Sequence, residues 1–195
     1  HDLALTLDAG PVTASGLEAD AFGLTARVKE DRADIDRLMV TNLAGASLSA
    51  TGSLTDLSLT PSGTVDVSIV SADGAELIST LAAQFSGPDW LSLAADRIGA
   101  TPDLLSDAQL SFIASTAPED KDRSWTLSGN AKAASGSASF TGNWKSGEDL
   151  GDADGGWQVT ATQREPLNFL SLAGVDLVPL GAPGPATVEL KANGN

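Results

Sequence analysis

Glu148, Asp149, Asp152 and Asp154 crowd the stretch just ahead of Gly155-Gly156. Closely spaced carboxylates beside glycine are what a hard cation such as Ca²⁺ asks for, since it needs several oxygens around a sharp turn. Set in the register of an EF-hand with Gly155 at the turn, the first ligand position is Leu150 and the last is Ala161. Neither side chain carries an oxygen, so the pattern fails. The expected structure there is a long polar hairpin loop with Trp144 and Trp157 near its ends.

Other chemistry is scarce. His1 is the sole histidine, and the chain has neither cysteine nor tyrosine. That removes Cys–His and Ser–His nucleophile pairs and histidine-bound zinc. Gly45-Ala46-Ser47-Leu48 continues with Ser49, so no Gly-x-Ser-x-Gly elbow forms, and no glycine loop ends in Lys-Ser or Lys-Thr. Two carboxylates alone suffice for a glycosidase. The acids here fall in turns, at strand ends and at helix starts, where a solvated face accounts for them. Arg27, Lys29, Arg32 and Arg37 interleave with Glu30, Asp31, Asp34 and Asp36; mixed signs of this kind predict exposed cross-strand pairs. The sequence therefore predicts no catalytic residue, no cofactor and no metal site, and a protein that is not an enzyme.

The residues that do form a pattern are apolar, and they alternate. Leu3, Leu5 and Leu7 are separated by polar or small residues, and so are Leu24, Ala26 and Val28. The same holds for Leu48, Ala50 and Gly52, and for Val65, Val67 and Ile69. It recurs in Leu110, Phe112 and Ala114, in Trp125, Leu127 and Gly129, in Trp157, Val159 and Ala161, and in Val188, Leu190 and Ala192. A period of two gives a strand one apolar and one wet face, the mark of antiparallel sheets. Polar or glycine-rich breaks at Glu30-Asp31, Asp56, Pro61 to Gly63, Glu119 to Asp122 and Gly147 to Gly156 supply the turns. Helical spacing is confined mainly to 74–86, with Asp73 as N-cap, and to 88–98, opened by Pro88-Asp89; a short helix is expected at 166–172. Trp90 reads as a packing anchor between helix and sheet, and Trp125 and Trp157 as a cross-strand pair.

Two stretches repeat. Gly45 to Gly52 (G-A-S-L-S-A-T-G) precedes G-T-V-D-V-S-I-V and a helix-like run, and Gly136 to Gly142 (G-S-A-S-F-T-G) precedes G-W-Q-V-T-A-T and P-L-N-F-L-S-L. Gly52 and Gly142 stand 90 residues apart, and Gly63 and Gly156 stand 93 apart. The expected fold is mainly β, an antiparallel curved sheet of repeating, groove-like units with a small helical insert. The organisation expected is 1–87 as a first β-repeat with its helix, 88–105 as the helical insert and 106–195 as a second β-repeat, with a sheet that can run across all three.

Bulk properties limit partners. A net charge of −15 argues against nucleic acid and anionic membrane surfaces. Hydrophobic content of 42% against 19% charged places the chain among folded proteins. No apolar run is long enough to cross a bilayer as a helix, and the chain reads as a piece of a longer protein.

The motif of an apolar strand, N-L-A-G-A-S-L-S-A-T-G-S-L, a short turn, G-x-V-x-V-x-I and a helix holding L-I-S-T-L resembles the AsmA-like family of Gram-negative envelope proteins. The lead-in D-L-A-L-T-L-D (Asp2 to Asp8) and the second copy, G-S-A-S-F-T-G-N-W with G-W-Q-V-T-A-T, extend the resemblance over most of the chain. It implies a periplasmic module of a parent anchored in the inner membrane and related to bridge-like lipid transfer proteins, with phospholipid or another acyl lipid, the rest of the parent chain and envelope proteins as partners. The lipid-facing residues it suggests, on the alternation read above, are Leu48, Ala50, Val65, Val67, Ile69, Phe140, Val159 and Ala161. The alternative is a non-enzymatic envelope scaffold or outer-membrane assembly factor that pairs partners with its edge strands.

Overall fold

A computed structural model describes residues 2–14, 17–58, 61–84, 96, 98–99, 102–119, 122–146, 154–164 and 184–194. The strands are β1 (Asp2–Ala9), β2 (Val12–Ala14), β3 (Leu17–Ala19), β4 (Ala21–Lys29), β5 (Arg32–Leu43), β6 (Ala46–Thr55) and β7 (Ser62–Asp73). After the helix α1 (Gly74–Gln84) and a 3-10 turn (Pro102–Leu105) come β8 (Ser106–Glu119), β9 (Asp122–Ala133), β10 (Gly136–Ser146), β11 (Asp154–Gln163) and β12 (Ala186–Gly194). Ten of them form one sheet in the order β1-β4-β5-β6-β7-β8-β9-β10-β11-β12, every neighbour antiparallel. The sheet does not close on itself. β2 and β3 make a separate small hairpin.

Tight hairpins follow from local chemistry. Leu43 and Ala46 pair across the two-residue turn Ala44-Gly45, both in the left-handed region at φ 49° and 76°. Two positive φ values twist the turn in the sense the strands require, and Gly45 adopts its value without a Cβ penalty. Ala44 does not share that freedom. At the far end of β7, Asp73 caps α1: its Oδ1 accepts from the backbone N–H of Ala75 (2.9 Å) and of Glu76 (3.2 Å). The cap satisfies two otherwise orphan donors, and Glu76 adds negative charge at the positive end of the helix.

The helical insert does not divide the sheet. β7 and β8, on either side of it, pair from Gly63↔Thr116 to Asp73↔Ser106. The helix expected at 74–86 is α1. The one expected at 88–98 lies almost wholly outside the described residues, as do the short helix at 166–172, Trp90 and the acidic loop up to Ala153.

One expectation needs correction. The repeat aligns Gly63 with Gly156, yet Gly63 pairs with Leu54, whereas Gly156 pairs with Asn143 and Asn193. The first stands in an apolar row and the second in a polar one. By facing and pairing, Val65 matches Trp157, because each lies opposite a glycine of the preceding strand, Gly52 and Gly142. Glycine has no side chain to mark its face, so matching glycines by identity slips the register by one residue.

Candidate functional site

The register places the alternating apolar residues of all ten strands on one face. One row runs Leu7, Leu24, Leu38, Ala50, Val67, Phe112, Gly129, Phe140, Val159, Leu190 from edge to edge. The next runs Ala9, Phe22, Val40, Leu48, Ile69, Leu110, Ala131, Ala138, Ala161, Val188 through the same pairings. At a strand spacing of about 4.8 Å, ten strands make this face about 43 Å across. All eight residues singled out from the sequence lie on it, in three adjacent rows. Ala50 and Ala161 are buried and form its floor, while Leu48, Val65, Val67, Ile69, Phe140 and Val159 are half-buried.

The face is not a sealed core. Among the described residues no large side chain is fully buried, and the buried apolar set is small: Ala19, Ala46, Ala50, Ala75, Leu104 and Ala161. At its margins apolar side chains stand open, with Leu3 63% and Leu190 52% exposed. The opposite face is a field of Ser, Thr, Asn and charged residues; Met39, Val70 and Ile113 are exposed there singly, which is ordinary for a protein surface.

Towards the ends of β9, β10 and β11 that lie away from α1, the apolar face carries a ladder of indoles. Trp125 and Trp144 sit directly opposite each other, stacked at 6.2 Å with planes 6° apart. Trp157 stacks on Trp144 from the other side, at 5.3 Å and 22°. Trp157 also covers its partner Gly142, where a Cβ would meet the indole ring at 2.6 Å. Phe140 covers Gly129 in the same way, at 2.6 Å. Bare backbone on this face is thus roofed by the aromatic residue of the next strand. The sequence pairs Trp125 with Trp157 directly; the structure sets Trp144 between them, a residue that the sequence marks only as a loop boundary.

At the α1 end the face deepens into a cavity of about 450 Å³. α1 contributes Leu77 and Ile78, the 3-10 turn Leu104 and Leu105, and the strands Ile69, Leu110, Ala131 and Ala138. Two hydrogen bonds fasten its rim: Ser135 Oγ donates to Leu104 O (2.7 Å), and Ala134 N–H donates to Ser106 O (2.9 Å). A cavity of this size and lining falls within the range of sites that enclose a small apolar ligand, about 300–1,000 Å³. Gln163 also lines it, and its Oε1 is buried without a hydrogen-bond partner.

The mixed cluster in β4 and β5 forms three pairs across strands, two of them with acids of β1, and one within a strand. Arg27 makes a two-pronged contact with Asp36 (2.6 and 2.9 Å), Arg37 reaches Asp8 (2.8 Å), Lys29 reaches Asp2 (4.0 Å), and Arg32 holds Asp34 within its own strand (2.7 Å). These pairs lie on the solvent side. The hydrogen bond from Arg32 lowers the pKa of Asp34, and that to Asp36 raises the pKa of Arg27. Among the described residues no group of three or more His, Asp or Glu gathers as a metal site, and no described helix is long and apolar enough to cross a membrane. Comparison with family models, curated proteins and solved structures gives no match to this chain.

Proposed function

We propose that this chain is a lipid-handling module, a section of an AsmA-like periplasmic protein whose open apolar face accepts acyl chains between inner and outer membranes. One observation carries the reading: apolar rows run unbroken from β1 to β12, and among the described residues the elements outside the sheet that pack against it are small, α1 and the 3-10 turn at β7 and β8 and the short β2–β3 hairpin at β5. A soluble monomer rarely leaves so wide an apolar surface without something to put on it.

The energetics fit transfer. Full removal of a methylene from water is worth about 0.8 kcal/mol. A chain lying on an open face buries one side, about half of that, so ten methylenes gain about 4 kcal/mol and the two tails of a phospholipid about three times as much, before the cost of association. Contacts worth a few tenths of a kcal/mol per methylene, about 0.4 kcal/mol each, hold a lipid against the face yet let it slide. The binding is non-directional and needs no charged anchor along the face.

Among the described residues, each edge strand, β1 and β12, has one neighbour in the sheet, and an edge strand presents a row of backbone donors and acceptors for pairing. With Leu3, Leu5 and Leu7 exposed on β1, the rest of the parent chain is the natural partner at that edge, since added strands would prolong the same apolar rows. Native mass spectrometry after gentle purification tests the reading. Co-purified phospholipid adducts are expected. A clean apo mass, under conditions that preserve a control protein's lipid, contradicts it.

A further inference from the structure

We infer that the α1 end of the apolar face is a headgroup-selective seat for an anionic amphiphile, its acyl tail in the 450 Å³ cavity and its charged head against Lys132 and Arg164. The inference rests on the lipid reading above and adds to it a place and a charge preference.

The first observation is an accounting of cations. Arg27, Lys29, Arg32, Arg37 and Lys191 each lie against a carboxylate, and Lys145 has a partner too. In a chain of net charge −15 such pairing is expected. Among the residues whose side chains are described, Lys132 and Arg164 are the two cations whose charged heads have no partner. Both line one cleft of about 290 Å³, together with Ala133, Gly136, Ser137, Thr162, Gln163 and Pro185. No described carboxylate lines it. Arg164 is held at this place by its backbone N–H, which donates to Ser135 O at 3.0 Å.

The second observation is continuity. Lys132, Ala133, Gly136, Ser137 and Gln163 line both the cationic cleft and the apolar cavity. Lys132 and Ser137 stand in the polar row and Ala133 and Gln163 in the apolar one, so the cleft wraps the end of the sheet at the β9–β10 turn and joins the oily chamber on one face to the positive rim at the other. The third is the orphan acceptor between them, Gln163 Oε1. A buried carbonyl oxygen without a donor is costly, and a donor supplied by the ligand relieves it. An ester has no donor to give, whereas a glycerol hydroxyl does. The geometry favours a glycerophosphate head: phosphate on the two cations, hydroxyl on Gln163, tail along Ile69, Leu110 and Ala138 towards the tryptophan ladder.

The test compares lauroyl lysophosphatidylglycerol with monolauroylglycerol, which share chain and glycerol but differ in the phosphoglycerol group. Binding below the micelle concentration is read by calorimetry on the native chain and on a Lys132→Gln/Arg164→Gln variant. The native protein is expected to prefer the anionic probe about tenfold, since charge-assisted contacts are roughly twice as strong as neutral ones. The variant should lose that preference and keep its affinity for monolauroylglycerol. Equal binding of both probes by the native protein overturns the headgroup inference and leaves the lipid reading standing. Binding of neither probe overturns the lipid reading itself. Inorganic phosphate that binds as tightly as the lysolipid also overturns the inference, because the cavity would then contribute nothing.

Discussion

Val67→Asp separates an open face from a closed core. Val67 sits mid-strand between Ala50 and Phe112 in the central apolar row and is half-buried. Complete burial of a valine is worth about 1.5–3 kcal/mol, so losing a half-buried one costs about 1 kcal/mol. The poor strand propensity of Asp adds up to about 1 kcal/mol more. With water within reach the carboxylate keeps its charge solvated, and the total is about 2 kcal/mol. In a sealed core the same carboxylate would be an unpaired buried charge, an effect of several kcal/mol and comparable to the whole stability of a domain. Urea unfolding followed by circular dichroism measures the difference. The variant is expected to fold with an unchanged m-value, a midpoint lowered by the equivalent of about 2 kcal/mol and phospholipid adducts reduced at least tenfold. A variant that fails to fold, or one that folds and carries lipid as before, refutes the reasoning.

Other outcomes follow from single contacts. Gly129→Ala should destabilise by about 1–3 kcal/mol, because its Cβ would press on the Phe140 ring at 2.6 Å and on Ser111 O, whereas Gly10→Ala, with nothing within 4 Å, should be nearly neutral in the same thermal melts. Asp73→Ala should cost about 1 kcal/mol and loosen α1, seen as faster amide exchange at Ala75 and Glu76; unchanged exchange there would refute the cap. Ala44→Gly should raise stability by about 0.5 kcal/mol, since relief of a left-handed alanine outweighs the entropy added to the unfolded chain. Asp34, its pKa lowered by Arg32, should titrate below the ordinary aspartate range in a carboxyl NMR titration. Its contribution to stability is then present above the unfolded pKa and is lost as pH falls through the folded value. An ordinary or raised value would refute the contact.

The sheet was legible because alternation survives even where its apolar members are small, as in Leu48, Ala50 and Gly52, and because short polar breaks left little room for crossover helices. The eight face residues were legible for the same reason: parity along a strand fixes the face. What parity cannot give is the neighbour across the sheet. The Trp125–Trp144–Trp157 ladder needs the two-residue turn at Ala134-Ser135 and the β10–β11 register before Trp144 comes between the other two. The cavity and its cationic rim were invisible for a deeper reason. Leu77, Leu104, Lys132 and Arg164 belong to four different stretches of chain, and only the successive pairings from β7 to β11 bring them together.

The indole ladder reports directly on whether acyl chains lie on the apolar face. From Gly136 beside the cavity to Trp144 the face extends about 27 Å along β10, at about 3.4 Å per residue. In a Trp90→Phe background, phospholipid brominated along its acyl chains should quench the emission of Trp125, Trp144 and Trp157, while the same lipid without bromine should not. Emission that stays equal with both lipids at saturation, from a protein that remains folded, would show that acyl chains do not lie on this face.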